Sequence, residues 1–173
     1  MLEDQGNSPA ELLDRLLDHE ERYWRRVAED VGLDRGLEPA LAPSIALATL
    51  AGGVAEGDEL RRLLAASPLL ADRTALERRA VGEVLSRLYG WERRIEALQP
   101  DRIGEALVTR EIQRDRSLLR AWRVNAGESQ IRQGLTVLGR VADEREEARE
   151  WLLDLFSADL RSMAKAAMEI SMQ

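Results

Sequence analysis

His19, set in the run Leu17-Asp18-His19-Glu20-Glu21, is the only histidine in the chain and the first residue whose chemistry asks for a partner. Flanked by acids in the middle of a helix, it reads as a solvated or interface side chain; a pH switch there needs a partner that the sequence does not display. Glu105 and Glu111 lie six positions apart and do not share a helical face closely enough for paired acid/base work, so they read as surface charges. Trp24, Trp91, Trp122 and Trp151 each fall in an apolar stripe or at an element boundary, which points to core and inter-helix packing rather than a ligand cage. With no cysteine, the chain has no disulfide, thiolate nucleophile or sulfur-ligated zinc, and one histidine cannot build a multi-histidine metal site. A P-loop needs Gly-x-x-x-x-Gly-Lys-[Ser/Thr], yet the sole lysine, Lys165, stands in Met163-Ala164-Lys165-Ala166 with no glycine nearby. No nucleophile elbow, His-Glu-x-x-His pair or EF-hand loop occurs. The expectation is a protein without catalytic residues, metal or cofactor.

The elements that carry these residues are helical. Ser8-Pro9-Ala10-Glu11 combines a capping serine, a proline at the first helical position and a reciprocal glutamate, so a helix starts there. Leu12, Leu13, Leu16, Leu17, Glu20, Tyr23, Trp24, Val27 and Val31 continue it at spacings of three and four as one apolar stripe interrupted by Glu20, and Gly32 is placed to end it. A second helix is expected from about Pro43 to Gly52-Gly53, a third over Glu56 to Ala66, and a fourth from the Thr74-to-Glu77 capping box to Gly90. Trp91 to Leu98, bounded by Gly90 and Pro100, reads as an extended segment or small β-arm. Asp101 caps a further helix, and an apolar face continues through Trp122 to the break at Asn125-Ala126-Gly127. Stripes at Ile131 to Val141, Trp151 to Phe156 and Leu160 to Ile170 suggest the start of a helical-repeat arm. The predicted fold class is all-α with a short β-arm: a winged-helix-like domain followed by helical repeats.

With 173 residues, 45% hydrophobic, the chain is long enough to bury about 68–70% of its unfolded surface without staples. The predicted divisions are a linking helix over 1–36, a winged-helix-like domain over 37–125 and a repeat-like segment over 126–173. The acid-rich start lacks the basic and apolar regions of a secretion signal, and the most apolar run, Ile45 to Ala55, is about half of the roughly 20 residues a membrane helix needs. Cytoplasmic residence without membrane contact is the expectation. Charge is uneven: net −9 over residues 1–60, +5 over 61–133 and −3 over 134–173. An acidic chain repels nucleic acid at long range, but a local basic face can still attract it or an acidic partner.

One run is more specific. Leu98-Gln99-Pro100-Asp101-Arg102-Ile103-Gly104-Glu105-Ala106-Leu107-Val108 resembles the L-x-P-D-x-L-G-E-x-L-V segment that follows the ATPase core in bacterial STAND NTPases of the NACHT and tetratricopeptide type. Leu17 to Trp24 looks like the helix after their nucleotide-binding fold, Ala46 to Gly53 like a helix of their winged-helix region, and residues 130–173 like the first helices of their sensor arm. The resemblance spans about residues 10–173. It implies a regulatory segment that packs on a nucleotide-binding domain, holds an inactive state and relays sensing to oligomerisation. Relatives often have histidine after the Gly-Glu pair where this chain has Ala106, so the side chain that would sense nucleotide is missing. The residues this assigns to an interface are Trp91, Leu98, Gln99, Pro100, Asp101, Gly104 and Glu105, with His19 and Trp24 on the first helix. Independently of the resemblance, proline fixes the entry to a helix, aspartate accepts from its free N–H groups, and glycine in its first turn lets another backbone approach.

The function expected is therefore a non-catalytic, protein-binding regulatory module of a STAND-type signalling ATPase, partnered by a nucleotide-binding domain and able to form a homo-oligomer. The competing reading is a winged-helix DNA-binding regulator, with the fourth helix offering Arg73, Arg78, Arg79 and Arg87. Glu77 and Glu83 on that same helix, and the acidic flanks, count against nucleic acid. An enzyme with a pocket invisible in sequence is the third class.

Overall fold

The computed structural model describes residues 8–99 and 101–157. Helix α1 (Pro9–Val31) opens on the capping box: the Glu11 amide donates to Ser8 Oγ at 3.2 Å and the Ser8 amide donates to Glu11 Oε2 at 3.1 Å. It closes on left-handed Gly32. A 3₁₀ helix over Arg35–Ala40, which periodicity does not announce, leads into α2 (Leu41–Leu50). Then come β1 (Val54–Ala55), α3 (Asp58–Ala66), α4 (Ala75–Tyr89), β2 (Gly90–Trp91) and β3 (Arg94–Ile95). Helices α5 (Asp101–Arg114), α6 (Ser117–Asn125) and α7 (Glu128–Glu144) follow, and residues 146–157 are helical. Among the described residues the fold is all-α with one small antiparallel sheet, and the order α2-β1-α3-α4-β2-β3 is winged-helix-like. The expected stripe from Leu160 to Ile170, with Lys165, lies outside the described residues.

Burial explains the layout. Almost every residue of α2 is apolar and buried, so this helix has no solvent face and must be covered on all sides. Helices α3, α5 and α6 pack around it. Sheet order is β1-β3-β2, with Val54 opposite Ile95 and Gly90 also opposite Ile95, so the buried Ile95 anchors both edges. Between β2 and β3 only Glu92 and Arg93 turn the chain, with φ of 46° and 64°, as a two-residue turn of type I′ requires. Two-residue strands are shorter than alternation can reveal, which is why β1 is not foreseen.

The chain divides into two compact units at the Gly134–Leu135 bond, and α7 contributes residues to both. In the first unit α7 approaches Trp122 so closely that a Cβ at Gly134 would fall 2.1 Å from its ring. In the second, Leu138, Val141, Ala148 and Trp151 are buried, and Arg149 Nε donates to the Ala142 carbonyl at 3.1 Å.

Candidate functional site

Helix α1 is fastened to α4 and α5 by polar side chains in a partly buried seam. Trp24 Nε1 donates to the Tyr89 hydroxyl at 2.6 Å, and that hydroxyl donates to Glu20 Oε2 at 3.1 Å. Glu20 is the residue that interrupts the apolar stripe, and Tyr89 is its reason. Burial pushes the Tyr89 phenol above the ordinary tyrosine range; the bond from Trp24 opposes this and the Glu20 charge adds to it. One residue further along α1, Glu21 pairs with the Arg110 guanidinium of α5. Arg110 Nε stands 3.8 Å from Glu111 Oε1, an ion pair rather than a hydrogen bond, and Arg114 donates to the same Glu111 oxygen at 2.8 Å.

The reading of Glu111 as a surface charge is corrected here, because only 6% of it is exposed. Burial raises its pKa, while Arg114 and Arg110 pull it back down. Its partners are Arg110 and Arg114 on its own helix rather than Glu105, and the like charge of Glu21 across the seam adds to the rise. Glu105 is half-buried on another part of α5.

The Leu98-to-Gly104 segment docks within the chain itself. Thr49 Oγ1 donates to the Ile45 carbonyl at 2.8 Å and accepts from the Leu98 amide at 3.1 Å. A Cβ on Gly104 would stand 2.7 Å from the Leu98 carbonyl oxygen and 3.0 Å from Thr49 Cγ2, so only glycine lets α5 sit this close to α2. Leu98, Gly104 and Trp24 are buried in this internal packing, while Gln99, Asp101 and His19 are exposed; Pro100 lies outside the described residues.

Trp24, Trp122 and Trp151 belong to the buried interior, as their stripes predict. Trp91 does not. It is 69% exposed, because its strand is the sheet edge and its side chain leaves the core. Trp91 continues an exposed line along α4, and a groove of about 1080 Å³ runs between α3 and α4 over Leu60, Leu64 and Gly82. The arginines here have partners from nearby sequence. Arg73 meets Glu77 at 3.2 Å and Arg79 meets Glu83 at 3.3 Å, while Arg78 donates to the carbonyls of Leu70, Ala71 and Arg73. Hydrogen bonds from Thr74, with Arg73 adding, hold the Glu77 carboxyl below the ordinary glutamate value.

Among the described residues no cluster of three acidic or histidine side chains could hold a metal, and no helix is long and apolar enough to cross a membrane. Comparison with models of protein families, with curated proteins and with solved structures finds no match to this chain.

Proposed function

We propose that the chain is a non-catalytic regulatory module that makes protein contacts within a STAND-type signalling ATPase. The observation that carries this reading is the seam at α1: a long amphipathic helix fastened to the winged-helix-like body by Trp24, Tyr89, Glu20, Glu21 and Arg110. Ion pairs and hydrogen bonds across a partly buried seam are directional and can exist as made or unmade, which suits a helix that relays the state of one domain to the next. The run from Leu98 to Val108 supports the same family reading by sequence. On this reading a P-loop domain, encoded in the same protein or beside it, binds this chain directly. A titration of the two purified parts followed by calorimetry tests that, and absence of binding would refute it.

The DNA-binding reading draws on one observation, the exposure of Arg79 and Arg87 on the outer side of α4. Glu83 stands between them, and Arg79 already has Glu83 as its partner. Phosphate neutralisation by this helix would be small. A duplex whose affinity falls steeply with salt would favour this reading over the first.

A further inference from the structure

A second line of hydrogen bonds, separate from the seam at α1, joins the small sheet to α7. The Ala55 amide of β1 donates to Glu59 Oε2 at 2.6 Å, and Glu59 Oε1 accepts from Gln130 Nε2 of α7. Gln130 Oε1 in turn accepts at 2.9 Å from the amide of Gly127, the residue just ahead of α7. The two side chains in the middle of this line stand 71 positions apart in sequence. Each has one polar atom turned toward the sheet and the other toward α7. A bond to an ionised acceptor is roughly twice as strong as one between neutral groups. Held by a donor on either side, the Glu59 carboxylate cannot turn fully toward one without leaving the other.

The packing beside this line leaves little slack. A Cβ on Gly52 would stand 2.7 Å from Gln133 Cγ, and one on Gly53 would stand 2.9 Å from the Ile95 carbonyl oxygen. The turn before β1 is thus held between α7 and β3. All of these residues belong to the first compact unit. Strand β1 pairs with β3, and β3 pairs with β2, which carries the exposed Trp91. A displacement of the β2–β3 hairpin therefore reaches Ala55 through the ladder, and it passes to α7 by way of Glu59. We propose that Glu59 is a coupling residue between the hairpin and the start of α7, so that the two loosen together. The proposal rests on these contacts alone and stands or falls separately from the ATPase reading.

The test is amide hydrogen exchange in the full chain, followed by NMR, in wild type, Glu59→Gln, Gln130→Glu and the reciprocal swap that combines them. Gln130→Glu sets two carboxylates against each other, and its effect is read at the far end: the Ala55 amide should exchange about tenfold faster or more. Glu59→Gln sets two amide NH2 groups against each other, and its effect is read at Ile131, whose amide donates to the Gly127 carbonyl at 2.9 Å. That amide should speed up to a similar degree. The swap rebuilds every bond, because the amide now on α3 accepts from Ala55 and donates to the carboxylate now on α7, which accepts from Gly127. Both rates should return to wild-type values. Circular dichroism verifies that each variant folds, and the amides of α2 serve as the reference for global opening. A single change that acts only on the element carrying it overturns the proposal. So does a swap that leaves the far end fast, or an α2 that opens as much as Ala55 and Ile131 do.

Discussion

The Trp24 indole N–H donates to the Tyr89 hydroxyl at 2.6 Å, joining the middle of α1 to the last residue of α4 across 65 positions of sequence. Because Tyr89 passes its own proton toward Glu20, the three groups form one chain, and none keeps its partner if the phenol is lost. Strand β2 begins at the very next residue, so the same tyrosine ties α1 to the base of the exposed hairpin.

Tyr89→Phe keeps the ring and removes the hydroxyl. Trp24 Nε1 is then left buried without an acceptor, which should cost about 1–3 kcal/mol. Chemical denaturation followed by tryptophan fluorescence measures it, and a Tm several degrees lower should accompany it. An unchanged midpoint would mean that the seam contributes nothing to holding α1.

Two groups should make stability depend on pH with the same sign. Tyr89 and Glu111 both have folded pKa values raised by burial. Each therefore adds stability that is fully present below its ordinary pKa and is lost as pH rises through the raised one. For Glu111 the loss begins above about pH 4.3, and for Tyr89 above about pH 10. Urea midpoints across pH should fall less steeply above pH ~4.3 in Glu111→Gln, which should be no less stable than wild type at neutral pH. Tyr89→Phe should flatten the alkaline limb. Curves parallel to wild type would contradict both assignments.

What was legible in the sequence was what local chemistry decides. Ser8 with Glu11 and Thr74 with Glu77 mark two helix starts because caps act within four residues, and Gly32 and Gly90 mark the corresponding ends. The arm after Gly90 was legible for the same reason. The seam was not, because Tyr89 and Arg110 meet α1 only through tertiary packing. One signal pointed toward it, the charged Glu20 in an otherwise apolar stripe, since a carboxylate on a buried face needs a donor. Glu111 and Trp91 were misread in opposite directions: burial of an acid and exposure of an indole depend on which neighbours the fold supplies, and periodicity along one helix carries no information about them.

Gly104→Ala tests the internal docking of α5. The added methyl meets the Leu98 carbonyl oxygen, a backbone atom that cannot swing away, so α5 must shift from α2. A loss of about 1–3 kcal/mol is expected from overpacking. Thr49→Val, which leaves the Leu98 amide without its acceptor, should give a loss of similar size. If neither variant is destabilised, the Leu98-to-Gly104 segment is not what holds these helices together.

Gly134→Ala addresses how α7 begins. Its methyl would overlap the Trp122 ring, so the start of α7 should lift and the Asn125-Ala126-Gly127 link should become more open to protease. Limited proteolysis with mapping of the first cut reads this directly. A cleavage rate equal to wild type would show that the ring yields instead.

The account turns on whether this chain alters the behaviour of a motor domain that it does not itself contain. ATP turnover by a STAND-type P-loop domain, the partner proposed for this chain, measured alone and then in covalent fusion with residues 1–173, is the direct measurement. The account predicts a changed rate in the fusion, and a return toward the isolated rate when Tyr89→Phe and Arg110→Ala unfasten α1. Identical turnover with and without this chain would contradict it.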